Sequence, residues 1–146
     1  MSYPNYKYGT GLSNAGSYIV SGKPYVSSSI VPASGAAAFH KFDFPSVTKE
    51  IVVSCSGSAA GLPRNVRLAF SPRGLKDGVK NYFLLDTEDG GGPLVLNVKA
   101  TELYAMSNDA ATPTVSVYAA LTGIPVERVN NISPSGSNWS GSLGIG

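Results

Sequence analysis

The chain is poor in the residues from which most active sites are built. Its 146 residues include one cysteine, Cys55, and one histidine, His40. One of each cannot assemble a Cys/His zinc site, and no Gly-x-Ser-x-Gly elbow is present to present a hydrolase serine. A lone cysteine also excludes a disulfide scaffold. Cys55 falls in phase with Ile51 and Val53, which predicts a buried, inert thiol. Charge is sparse too: 14% of the residues are Asp, Glu, Lys or Arg, against about 25% in ordinary domains. The net charge of +2 comes from 11 basic and 9 acidic residues. They do not cluster, so there is no basic stripe for a phosphate backbone and nucleic-acid binding is not expected. No apolar run approaches the ~20 residues of a membrane span, and Met1–Tyr8 lacks the apolar centre of a signal peptide. A soluble product made in the cytoplasm is expected, with no membrane partner.

What is abundant are turn formers and one aromatic: 17 Gly, 10 Pro and 8 Tyr. At this length one domain can bury roughly two thirds of its unfolded surface without a metal or disulfide. The organising stretch is Ala38 to Cys55. His40, Phe42 and Phe44 share one side of an extended chain, Lys41 and Asp43 the other, and Ile51, Val53 and Cys55 repeat the alternation. Pro45-Ser46 between the two runs forces a turn or a change of sheet. Alternation returns in Asn65–Phe70, with Arg67 outward, and in Thr114–Leu121. Further strands are expected at Asn81–Leu85 and Leu94–Ala100, and at Glu102–Met106 as a strand continuing past a kink. Ser21-Gly22-Lys23-Pro24 reads as a turn flanked by two short strands, or as part of one bent edge strand. Ser71–Gly74 and Lys76–Gly78 read as a polar connection. Eight or nine short strands joined by Gly/Pro turns make an all-β fold, a single antiparallel β-sandwich or jelly roll. That domain spans residues 18–129. Residues 1–17 and the Gly/Ser-rich residues 130–146 have too little aliphatic content for a core and read as two arms. Tyr3, Tyr6, Tyr8 and Trp139 are their amphipathic anchors, candidate partner-binding residues because such rings repay docking.

The remaining candidates for chemistry each meet a plainer reading. His40 lies in register with Phe42 and Phe44, as a histidine of the core wall does. Asp43 and Glu102 are a conceivable pair of glycosidase carboxylates, although no spacing favours them. Asp86, Glu88 and Asp89 raise the question of a cation but lack calcium-loop spacing. Gly90-Gly91-Gly92 precedes no Lys-Ser/Thr pair and opens no helix, so it is no phosphate cradle. No catalytic residue, metal or cofactor is expected.

Several stretches resemble small structural proteins of tailed bacteriophages: Gly11-Leu12-Ser13-Asn14-Ala15-Gly16-Ser17-Tyr18 running on to Val26, Phe42-Asp43-Phe44-Pro45-Ser46-Val47-Thr48-Lys49, Tyr118–Pro125 and the tail around Trp139. The likeness is spread over most of the chain as short phrases rather than a functional signature. It implies a virion component on the capsid surface, a cement or decoration protein with a compact β domain and extended arms. Its partners would be the major capsid protein and copies of itself, a trimer being the commonest arrangement in that class. No catalytic residue is implied. A receptor- or carbohydrate-binding module of a head fibre or tail stays open as the alternative, since Tyr and Asn/Asp loops also suit sugars.

Overall fold

The computed structural model describes residues 16, 21–35, 38–56, 65–86 and 93–128. From residue 21 onward they form strands β1 (Ser21–Ile30), β2 (His40–Asp43), β3 (Thr48–Ser56), β4 (Val66–Ala69), β5 (Phe83–Leu85), β6 (Leu94–Leu96), β7 (Glu102–Ser107) and β8 (Thr114–Thr122), then a 3₁₀ turn at Val126–Arg128. Two antiparallel sheets result, ordered β1-β8-β3-β6 and β2-β7-β4-β5. β1 pairs with β8, β2 with β7, β3 with β6 and β4 with β5. That is one long hairpin, closed at β4–β5 and rolled so that its rungs fall alternately in the two layers. Pairing of β3 with β8 and of β4 with β7 seals the roll. The connectivity is that of a jelly roll, so the all-β sandwich expected from the turn spacing is the fold observed.

The core is the sum of the alternating rows. Ile51 and Val53 of β3 with Val115, Val117, Ala119 and Leu121 of β8 face Phe42, Val66, Leu68, Leu103 and Ala105 of the other sheet, all buried. The Pro45-Ser46 break performs the sheet change it implied, since β2 and β3 lie in different layers. Buried threonines stitch that corner. Thr48 Oγ1 donates to Val98 O at 2.8 Å and accepts from Ala100 N–H at 3.0 Å, while Thr122 Oγ1 donates to Val47 O at 2.7 Å. A hydroxyl that both donates and accepts satisfies two main-chain groups that no strand partner reaches.

Three expectations need correction. Ser21–Pro24 is not a turn: it is the first part of β1, and a register shift between Ser21 and Pro24 absorbs the proline, so the bent edge strand is the form adopted. Of the strand expected over Ala36–Phe44, whose first two residues lie outside the described ones, and of that over Leu94–Ala100, only His40–Asp43 and Leu94–Leu96 find ladder partners among the described residues. The connection after β4 is not merely polar, since it buries Leu75, 2% exposed, against Ala69 and Tyr104.

Candidate interaction surface

The two outer faces of the sandwich are opposites. On the β2-β7-β4-β5 side residues 71–80 cover the sheet around Arg67, while Phe83 and Leu84 of β5 at its edge stay exposed. Arg67 points away from the core, as its alternation implies, yet it is only 6% exposed because residues 71–80 fold over it. Its Nε donates to Asn108 Oδ1 at 2.7 Å and its Nη1 to Leu75 O at 3.0 Å. Nη1 also pairs with Asp77 Oδ1 at 2.7 Å, and the guanidinium lies over the Tyr82 ring, 4.8 Å from its centre. A planar fork with five donors suits this role, which no apolar side chain fills. Within the cap, Gly74 N–H donates to Ser71 Oγ and Lys80 N–H to Lys76 O, and Lys80 takes a left-handed φ of 55° to bring the chain back to β5.

Beside the cap, Asp43 and Glu102 stand opposite each other across β2 and β7. The carboxylates weighed as a catalytic pair are thus brought together, but Lys41 Nζ sits 2.8 Å from each. Both acids are occupied by one cation. Hydrogen bonds to Asp43 and then Glu102 hold Lys41 above the ordinary lysine range. Burial, followed by the Glu102 carboxylate, pushes the Tyr104 phenol up to about 12. Between the cap and Gly35, Ala38 and Phe39 lies a cleft of about 620 Å³, with Phe39, Leu75 and Met106 as apolar walls and Arg73 and Lys76 as cations.

The β1-β8-β3-β6 side is bare. Register aligns its outward side chains in four rows: Pro24–Ala120–Glu50, Val26–Tyr118–Val52–Val95, Ser28–Ser116–Ser54 and Ile30–Thr114–Ser56. Glu50 is the one charge in these rows. The second row crosses the whole sheet, and Val26, Val95 and Tyr118 are 74%, 50% and 41% exposed. β1 carries the anomaly. Tyr25, Ser27 and Ser29 lean inward while Val26 and Ile30 face solvent, the reverse of the usual alternation. The register is pinned at both ends: the Tyr25 ring meets Phe44 edge-on at 5.2 Å, and Val31, of the same parity, is fully buried with its N–H on Pro113 O. A one-residue slip would bury Val26 and Ile30 but expel Tyr25 and Val31.

The other sequence candidates fall as follows. Tyr3, Tyr6, Tyr8 and Trp139 lie outside the described residues, as do Glu88 and Asp89, so of the acidic loop only Asp86 is placed. His40 is half-buried at the start of β2 with its ring against Phe42, 4.6 Å between centres. Cys55 packs against the core, and burial, with a smaller effect of Asp86, raises its thiol. Among the described residues no three His, Cys, Asp or Glu side chains stand together to hold a metal ion, and no helix is long and apolar enough to cross a membrane. Sequence reading missed Arg67 as an organiser and the outward row on β1. The first was detectable only as a charge inside a strand; the second had a signal, Val26 and Ile30 at even spacing with serines between. Compared with protein-family models, curated proteins and solved structures, the chain matches none.

Proposed function

We propose that the chain is a non-enzymatic structural protein of a virion, a capsid cement or decoration protein that bridges and stabilises subunits of the major capsid protein. The observation that carries this reading is the outer face of β1-β8-β3-β6, a nearly uncharged sheet crossed by the row Val26–Tyr118–Val52–Val95. Contiguous exposed apolar side chains on a soluble domain mark a surface that another protein covers. Covering one such side chain fully contributes about 1.5–3 kcal/mol, so one copy gains a modest sum that repetition over a lattice multiplies into avidity. A second support is where the chain enters β1 and leaves β8: Ser21 stands opposite Thr122, so both happen at one end of the sandwich. Anchors Tyr3, Tyr6, Tyr8 and Trp139 would extend from that end to adjacent subunits.

The test is incorporation into particles. Tyr118→Asp should leave the β spectrum of the isolated domain intact and strip it from capsids, and removal of residues 1–17 should do the same. Undiminished occupancy in both cases would sink the reading. The cleft beside Phe39, apolar with a cationic rim, favours the second reading, a receptor- or carbohydrate-binding module. Density at a vertex or tail rather than over the shell would select it.

A further inference from the structure

We propose that β1 is a self-association edge: two copies of this chain pair β1 with β1, antiparallel, across a two-fold axis at Ser28. The eight strands of two β1-β8-β3-β6 sheets then form one continuous sheet.

β1 is ten residues long, the longest strand, and lies at the edge of its sheet. Among the described residues no strand pairs with its far side. Native edges are commonly blunted by charge, proline, a bulge or short length. Here the blunting is confined to one end, where Lys23 and Pro24 adjoin the register shift. From Tyr25 to Ile30 there is none.

The direction of the main-chain groups follows from one hydrogen bond. Val31 N–H donates to Pro113 O, and in an antiparallel ladder alternate residues turn their N–H and C=O to the same neighbour. Ser29, Ser27 and Tyr25 therefore bond β8, whereas Ile30, Ser28 and Val26 direct theirs to the open edge. Two such edges fit each other in a register centred on Ser28. Val26 then stands opposite the partner's Ile30, Ser28 opposite the partner's Ser28, and Ile30 opposite the partner's Val26. Each of these three pairs is a hydrogen-bonding one, with the non-hydrogen-bonded Ser27–Ser29 pairs between them, and the two exposed aliphatic residues that make the alternation of β1 anomalous meet as cross-strand neighbours. Lys23, the one charge of the strand, falls beyond the paired segment, so no like charges face each other. The neutral outer rows of both copies continue side by side across the joint. This contact is independent of the virion reading, because it concerns the free protein and its own copies.

Hydrogen-bonded antiparallel partners have Cα atoms about 5.5 Å apart, within disulfide reach. Under mild oxidation the full-length Ser28→Cys protein should yield a covalent dimer, whereas Ser54→Cys, on the same face but two strands in, should cross-link no faster than the unaltered chain with Cys55. In solution the unaltered protein should sediment at twice the chain mass, and the amides of Val26, Ser28 and Ile30 should gain exchange protection as concentration rises. A monomer at all concentrations with no preferential cross-linking through position 28 overturns the proposal. So does equal or faster linkage through position 54, which means face-to-face packing, or a three-fold mass. Protection of the three amides in the dilute monomer also overturns it, since the chain's own residues would then cover the edge. The Tyr118→Asp protein should keep this dimer even if it leaves the capsid, which separates the two proposals.

Discussion

Replacing Arg67 by methionine tests whether one buried cation holds the 71–80 cap on its sheet. The unbranched apolar chain keeps much of the stem packing and removes the fork. Lost are the charged hydrogen bonds to Asn108 Oδ1 and Leu75 O, each worth about 1.5–3 kcal/mol. The pair with Asp77 adds little, because that carboxylate is 82% exposed and such contacts contribute at most about 1 kcal/mol. The stacking on Tyr82 adds ~0.5–1 kcal/mol. The orphaned acceptors regain water once the cap loosens, so the lower ends apply and about 3 kcal/mol is expected. For a domain of this size that lowers Tm by roughly 6–12 °C. Calorimetry measures the total, and amide exchange locates it: Val79 and Lys80, whose N–H groups donate to Lys76 O, should lose protection before the core strands do. Arg67→Lys should restore little, since an ammonium cannot reach Asn108, Leu75 and Asp77 from one rigid plane. Loss of less than about 0.5 kcal/mol in Arg67→Met, the range of ordinary surface changes, would refute the account of the cap.

Thr48→Val leaves Val98 O and Ala100 N–H without the hydroxyl that serves both; the expected loss is about 2–4 kcal/mol by denaturant unfolding, and Thr48→Ser should recover most of it. The Lys41–Tyr104 cluster gives alkaline sensitivity a definite sign. Both groups bind their protons more tightly in the folded state, so their contribution is complete below the unfolded values of about 10 and is lost as pH rises through the folded ones, near 12 for Tyr104. Spectrophotometric titration should show a tyrosinate step near pH 12 that Tyr104→Phe removes, and Lys41→Met should flatten the fall of stability with pH. A cluster that titrates like free side chains would contradict the geometry.

The rows that build the core were legible because a sheet covered on one face imposes a period of two, and Ile51, Val53, Val115 and Val117 obey it. The sheet change at Pro45 was legible for a covalent reason, the missing N–H. Strand lengths were not: whether Asn97–Ala100 continues β6 depends on a neighbouring strand, and Thr48 instead captures Val98 and Ala100 with its side chain. Arg67 read as a solvated residue because alternation reports only which way a side chain points, and a distant loop decides whether water is there. β1 misled for the reverse reason. Tyr25 and Val31 have the stronger claim on the interior, so Val26 and Ile30 are carried outward although each is apolar. The anchors Tyr3, Tyr6, Tyr8 and Trp139 lie outside the described residues, so the part of the site placed in three dimensions is the sheet face that sequence did not single out.

The opposition of Ser21 and Thr122 also fixes how the domain answers a mechanical load. Tension between the two flanking segments enters the β1–β8 ladder from one end, which is unzipping rather than shear, and rungs in that geometry break singly. On the β8 side the chain is clamped by Val47, which donates to Ile124 O and accepts from Thr122 N–H. Among the described residues the proline-bearing start of β1 has no such clamp. Under strain β1 is therefore the strand that peels first, a yielding element between whatever its two ends hold.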